Sequence, residues 1–434
     1  MNNNSMSQFF NEFEGVNKDK WVEKLKEDLK GKPVEGNIII NDDVEEIEYK
    51  SFQHFEDRVW TNETPGSFPY LRTGKYENNQ FCINNIVPGE TPESINKNAL
   101  SRLMKGASGI RIDLKDFSEK ECEIIIKEIG VEYVNTTFIC NNKVQFDWLK
   151  NLSEQKKFYA LSAINNFDKT STIPSVRNFE IDASIVQKAG GNCTQEIAYA
   201  LKKGHDKLFE LMESGLSIDD AAPHLKFKLG IGSNFFFEIA KFRVFRRLWA
   251  EIVEAYKAKH DCTAVPFVEA ETTSLNKSLK DPYTNLLRLT TESLSAVIGG
   301  IDELTMLPFD WRSDSKLIEK HQRLVNNIPL ILHEESYMSE VIDPAGGSYS
   351  IEQITQLLME KSWEKFQNFK EGLFLADVAG VAARRIKKTE SKSFKLVGIN
   401  HFLNEKGLDA EWENAENYSV GRELILERDC KIEN

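Results

Sequence analysis

The chain has 434 residues, is 41% hydrophobic and 28% charged, and carries a formal charge of −13 with a pI near 5.3 and a mean hydropathy of −0.43. That balance fits a soluble globular protein whose length allows two bodies or one elaborated α/β barrel. It excludes a broad cationic surface for nucleic acid, and no run approaches the roughly 18 apolar residues of a membrane span.

The opening MNNNSMSQFFNEFEG lacks a basic region followed by an apolar one, so a cytoplasmic location is expected. Residues 17–30 place Trp21, Val22, Leu25 and Leu29 on one stripe of an amphipathic helix, which Gly31 and Pro33 stop. A β-rich, acidic stretch follows, then a turn-forming run from Thr61 to Pro69 that marks a boundary near residue 65.

Beyond that boundary, short apolar runs at 81–86, 109–114, 158–164, 179–186, 226–231 and 265–270 are each followed by a helical pattern, which predicts a parallel sheet with crossover helices. The clearest helix is 234–257, with Asn234 as its cap and Lys241, Arg243, Arg246 and Arg247 on the face opposite its apolar residues. Another runs over 351–370, opened by the turn Asp343-Pro344-Ala345-Gly346-Gly347-Ser348. About eight units fit before residue 400, which favours a TIM-type (β/α)₈ barrel. The expected organisation is an N-terminal arm over 1–65, the barrel over 66–400, and a charged tail over 401–434, short for another α/β domain.

Generic chemistry is sparse. Six cysteines form no CxxC pair and read as reduced thiols, and seven histidines show no metal-ligand spacing. Gly230-Ile231-Gly232-Ser233 lies where a phosphate loop could, but Phe235 occupies the third glycine position, so a plain βα turn is expected. Glu334 and Glu335 follow the apolar run 328–332 and could reach a barrel mouth as acid/base groups or stand as a solvated strand end.

Three blocks in register carry a specific resemblance: GIGSNFFFEIAKFRVFRRLWAEI (230–252), DPYTNLLRLTTESLSAVIGG (281–300) and PLILHEESYMSEVIDPAGGSYSIEQIT (329–355). With FPYLR (68–72) and QKAGGNCTQEIAYAL (187–201), they resemble the methylmalonyl-CoA mutase family of cobalamin-dependent acyl-CoA mutases across residues 66–400. The Trp21 helix with LKG (29–31) resembles the leader of small subunits in that family.

The resemblance implies a barrel that threads an acyl-CoA through its centre beside a cobalamin domain whose DxHxxG histidine ligates cobalt. None of the seven histidines here has an aspartate two residues earlier. The implication is that this chain binds no cobalamin and no metal, and that adenosylcobalamin sits on a partner, the large (alpha) subunit. The family's SGYH strand end reads Asp182, Ala183, Ser184, Ile185 when aligned through QKAGG, and GGTQSLHTN reads Gly299 to Leu307. Ser184, Ile185, Thr305 and Leu307 thus stand where catalytic chains carry tyrosine, histidine, histidine and asparagine, and isoleucine offers a carbonyl no donor. TRGPYATMY, which helps hold substrate, survives in part as Leu71 to Tyr76. The implied role is a non-catalytic small subunit that supports a large one in interconverting methylmalonyl-CoA and succinyl-CoA. Two alternatives stay open: the substrate-binding barrel of a split mutase with a separate cobalamin chain, and an acyl-CoA binding module.

Overall fold

In the computed structural model, which describes residues 15–34, 38–58, 63–158, 160–278, 281–309 and 318–403, the strand and helix alternation becomes a sheet that closes on itself. Eight parallel strands form it: β3 (Cys82–Ile86), β4 (Gly109–Asp113), β5 (Asn135–Cys140), β6 (Ala160–Asn165), β7 (Phe179–Asp182), β8 (Leu225–Ile231), β9 (Phe267–Thr272) and β10 (Glu303–Thr305). Their order is β6-β5-β4-β3-β10-β9-β8-β7. The seam between β6 and β7 closes through Arg177 and Asn178, whose carbonyls accept from Ala163 (2.8 Å) and Asn165 (2.9 Å). This is the (β/α)₈ barrel that the alternation predicts.

The outer ring comprises α2 (Pro92–Met104), α3 (Glu119–Ile125), α4 (Lys143–Gln155), α6 (Cys193–Glu213), α7 (Phe235–Ala255), α8 (Pro282–Ile298) and α9 (Ile318–Leu330). Over it lie α10 (Tyr349–Gln367) and α11 (Glu371–Glu390). A five-residue helix, α5 (Ser184–Lys188), follows β7. Residues 184–186 are therefore helical, not the end of a strand, because Asp182 turns the chain by accepting from the Ser184 amide and hydroxyl. Between β6 and β7 the described residues contain no helix: Asn165 and Asp168 each accept from backbone amides two or three residues on, which holds this stretch in turns.

The core lies between strands and helices. On β8, Phe227 points outward and packs at 4.6 Å against Trp249 and 4.8 Å against Phe245 of α7. Gly204 of α6 lets them approach: a Cβ there would lie 2.6 Å from the Phe227 ring and 2.9 Å from Trp249. Gly204→Val is expected to destabilise the chain by about 1–3 kcal/mol through overpacking, read as a lower urea midpoint.

Helix α7 corrects one expectation. Lys241, Arg243 and Arg246 are buried, not solvated, because α10 and the αβ layers enclose the helix. Lys241 pairs with Glu196 (2.8 Å) and Glu238 (2.5 Å), Arg243 with Glu352 (2.8 Å), and Arg246 donates to the Gly299 and Gly300 carbonyls. Asn234 occupies the cap position of α7 but makes no capping bond; its amide reaches Asp42 at 3.5 Å.

Glu334 and Glu335 are corrected as well. They end a π-helical extension of α9 at Ile331–Glu335, on the side of the barrel where strands begin, and are exposed there. No helix among the described residues is long and apolar enough to cross a membrane.

The N-terminal segment contributes α1 (Lys18–Asp28), capped by Asn17, and an antiparallel hairpin of β1 (Ile39–Asp42) and β2 (Ile47–Lys50). Helix α1 has no fully buried residue; Trp21 stacks on Phe52 at 4.3 Å, and Asp57 ties Lys18 to Lys50. Burial opposes the charge on Asp57, yet hydrogen bonds from Lys18 and Lys50 lower its pKa to about 2. A depressed native pKa stabilises fully above the unfolded value near 3.8 and is lost as pH falls toward 2. Amide exchange over residues 18–28 is accordingly expected to accelerate over that acid window, and to be insensitive to it in Asp57→Asn.

Candidate functional site

Side chains alternate along each barrel strand, so residues two apart share the axis. On β8 the inward pair is Lys226 and Lys228; on β7 Glu180 and Asp182; on β9 Glu269 and Glu271; on β10 Glu303 and Thr305; and on β4 Arg111. TIM barrels usually fill their interior with branched apolar residues. Here charge fills it.

The contacts run along the axis. Lys226 lies 3.0 Å from Glu303 and 2.8 Å from Glu269. Glu269 accepts from the Thr305 hydroxyl at 2.6 Å, and that hydroxyl accepts from Asn84 at 2.9 Å. Arg111 grips Glu180 with two bonds of 2.5 and 2.8 Å and lies 3.6 Å from Glu269. Nearer the mouth, Lys228 meets Asp182 at 2.6 Å and Glu180 and Glu271 at 3.5 Å, and Lys188 of α5 covers Glu271 at 2.5 Å. Four cations thus face five carboxylates.

Desolvation would neutralise isolated charges here, and the partners decide the outcome. Burial works against the Glu180 charge, but Lys228 and Arg111 hold its carboxyl well below the usual range. Burial likewise opposes Lys226, and Glu269 and Glu303 still hold its ammonium above the usual value. Burial pushes Glu303 up, whereas Glu269 is held below the ordinary range by Lys226. The network is an interlocked plug of paired acidic and basic side chains. Its donors are spent on its own acceptors.

The four positions that the resemblance singles out do not form one constellation. Ser184 is buried on α5 with its hydroxyl on Asp182 (2.5 Å), and Ile185 packs against the main core. Thr305 sits inside the barrel as a link of the plug, with β9 and β8 between its strand and β7, and Leu307 lies just beyond, its amide on the Thr272 hydroxyl at 2.9 Å. Arg72, from the partly surviving substrate segment, is committed to Asp343 of the DPAGGS turn at 2.7 Å. Gly232-Ser233 makes a βα turn between β8 and α7.

Above the plug, hairpin β1–β2 roofs a cavity of about 390 Å³ whose floor includes Gly232, Thr273 and Asn276. Glu45 at the hairpin tip is buried, which pushes its carboxyl up, and accepts from the Cys193 amide at 3.0 Å in the first turn of α6. Neither this cavity nor the plug includes a histidine, and among the described residues no three His, Cys, Asp or Glu side chains are grouped to hold a metal. The five cysteines described are free thiols; Cys430 lies outside the described residues.

The plug is the part that sequence reading missed. KFKLG, EID and EAE carry charges at period two, a signal of an axis lined with charge, but the segments read as apolar runs because Phe227, Ile181 and Ala270 alternate with them, and ELT was too short to register at all.

Comparison with known proteins agrees with this architecture. A family model described as methylmalonyl-CoA mutase matches residues 142–427. The methylmalonyl-CoA mutase small subunit of Porphyromonas gingivalis is 30% identical over 444 residues, 92% of this chain and 71% of that protein. Mitochondrial methylmalonyl-CoA mutases of Mus musculus and Homo sapiens are 32% identical over 264 residues, 58% of this chain but only 35% of each of theirs. With a barrel of the expected kind and matches of this extent, the chain belongs to the methylmalonyl-CoA mutase family.

Proposed function

We propose that this chain is a non-catalytic small subunit that pairs with a large, cobalamin-bearing subunit and supports interconversion of methylmalonyl-CoA and succinyl-CoA. The observation that carries the reading is the plug: Arg111, Lys226 and Lys228 with Glu180, Glu269 and Glu303 occupy the axis that an extended thioester would thread. Displacing them would strip buried charges of their partners, at a cost of several kcal/mol per pair broken.

The side chains at the mouth support the same reading. Catalysis at a barrel mouth needs donors aimed at the reacting group, and the hydroxyls of Ser184 and Thr305 are turned onto Asp182 and Glu269 instead. The residues present do not fit a corrin held from this chain, since neither the axis nor the roofed cavity offers an imidazole to cobalt. Adenosylcobalamin is therefore assigned to the partner, and no step is routed through it here. The N-terminal arm supplies the pairing surface: the stripe Trp21, Val22, Leu25 and Leu29 is only half covered. The alternatives of a split-mutase barrel or an acyl-CoA module both require an axis open to the thioester.

The test is co-expression with a large mutase subunit. The proposal predicts a stable one-to-one complex whose turnover survives Thr305→Val in this chain. Loss of turnover in that variant with the complex intact would place chemistry on this barrel; failure to co-purify would reject the partnership.

A further inference from the structure

We propose that the hairpin of residues 39–50 is a salt-sensitive latch that lifts as a unit from the cavity beneath it, rather than a fixed wall of the barrel mouth. The inference is independent of the subunit assignment, because it concerns only contacts within this chain.

Ion pairs make up much of the hairpin's grip, beside hydrogen bonds from Asn192 to the Val44 carbonyl (3.0 Å), from the Lys50 amide to Gln353 (3.1 Å) and from Lys361 to the Glu46 carbonyl. Its tip carries Asp42, Asp43, Glu45 and Glu46, while α10 and α11 present Lys361, Lys365, Arg384, Arg385 and Lys388 to it. Asp43 pairs with Lys388 and Glu46 with Arg384, with Lys365 at 3.7 Å from Glu46 and Arg385 at 3.5 Å from Glu45. The first two pairs are solvated, each side chain between 32% and 56% exposed. Salt therefore screens them.

Apolar anchoring is thin and sits near the base. Ile47 is fully buried, Tyr49 meets Phe237 at 5.4 Å, and at the tip only Val44 is buried among the apolar side chains. Two strands of four residues do not hold together alone in water. The closed position thus depends on the basic residues of α10 and α11, the condition under which a segment opens locally below the global unfolding free energy.

Cys193 reports the event. It lines the cavity at the start of α6, is 4% exposed, and sits under the hairpin, its amide donating to Glu45 at 3.0 Å and its thiol 4.0 Å from Glu238. Cys122 and Cys140, fully buried in the separate core of β4–β5 and their helices, report global opening.

The experiment is thiol modification of the purified full chain, quantified per cysteine by peptide mass spectrometry. Raising sodium chloride from about 0.05 to about 0.5 M is expected to accelerate Cys193 by about three- to tenfold while Cys122 and Cys140 stay slow. Arg384→Glu with Lys388→Glu should reproduce the acceleration at low salt, and adding Asp43→Lys with Glu46→Lys should restore protection. If Cys193 in the unsubstituted chain keeps the rate of Cys122 and Cys140 at every salt concentration, or all three accelerate together, the latch is wrong. It is equally wrong if Cys193 is indifferent to the charge reversal.

Discussion

Lys226→Met is expected to destabilise the folded chain by about 3–5 kcal/mol, the cost of leaving buried carboxylates without their cation. Lys226 is fully buried and is the cation nearest both Glu269 and Glu303. Without it those two face each other's charge, so both carboxyls rise in pKa. A raised native pKa favours the protonated, folded form, so the deficit should shrink as pH is lowered from 8 toward about 5. Urea denaturation at several pH values reads both effects. The triple variant Lys226→Met, Glu269→Gln, Glu303→Gln should recover most of the loss, because replacing all members of a buried ionic group is far less costly than removing one.

The second large effect falls on assembly. Leu25→Asp with Leu29→Asp in α1 is expected to weaken association with a large subunit by about 30- to 100-fold, the scale of losing two apolar anchors at an interface. The thermal midpoint of the isolated chain should barely move, since neither leucine is fully buried and α1 touches its own chain mainly through Trp21 on Phe52 and Lys18 on Asp57. Val16, Phe52 and Phe55 leave further apolar surface exposed around it, of the kind that marks protein contact sites. Sedimentation or surface-capture titration of the variant against the large subunit measures the ratio directly.

These two expectations rest on parts that differed greatly in legibility. The barrel was readable because βα alternation is a periodic signal, and runs such as 109–114 and 226–231 became β4 and β8 almost residue for residue. β5 was lost because NTTFIC mixes polar and apolar residues, and three-residue β10 is too short for any period to register. Helix α1 was visible from amphipathic spacing and stop signals, while its Asn17 cap was first seen in the structure. The burial of Lys241, Arg243 and Arg246 was not, because a helix wheel separates polar from apolar faces without saying which polar face another layer will cover. Their carboxylate partners, Glu196 and Glu352, come from α6 and α10, distant in sequence.

The family resemblance implies which residues Ser184, Ile185, Thr305 and Leu307 stand in for, but not what they do in this chain. Thr305 is a working link in the plug, bonded to Asn84 and Glu269, so its presence has a structural reason of its own. The closure of the channel depends on charges from five strands and α5 meeting at one line, and only the three-dimensional register brings Arg111, Lys226 and Glu303 together. A single strand's text carries half of each pair.

The central claim is that this barrel is closed to the thioester, and isothermal titration of methylmalonyl-CoA into the isolated chain tests it most directly. The account predicts no saturable heat beyond dilution at concentrations up to about 1 mM, a bound corresponding to less than about 4 kcal/mol of binding free energy. A saturable one-site isotherm in the micromolar range, abolished by competing acyl-CoA, would contradict it.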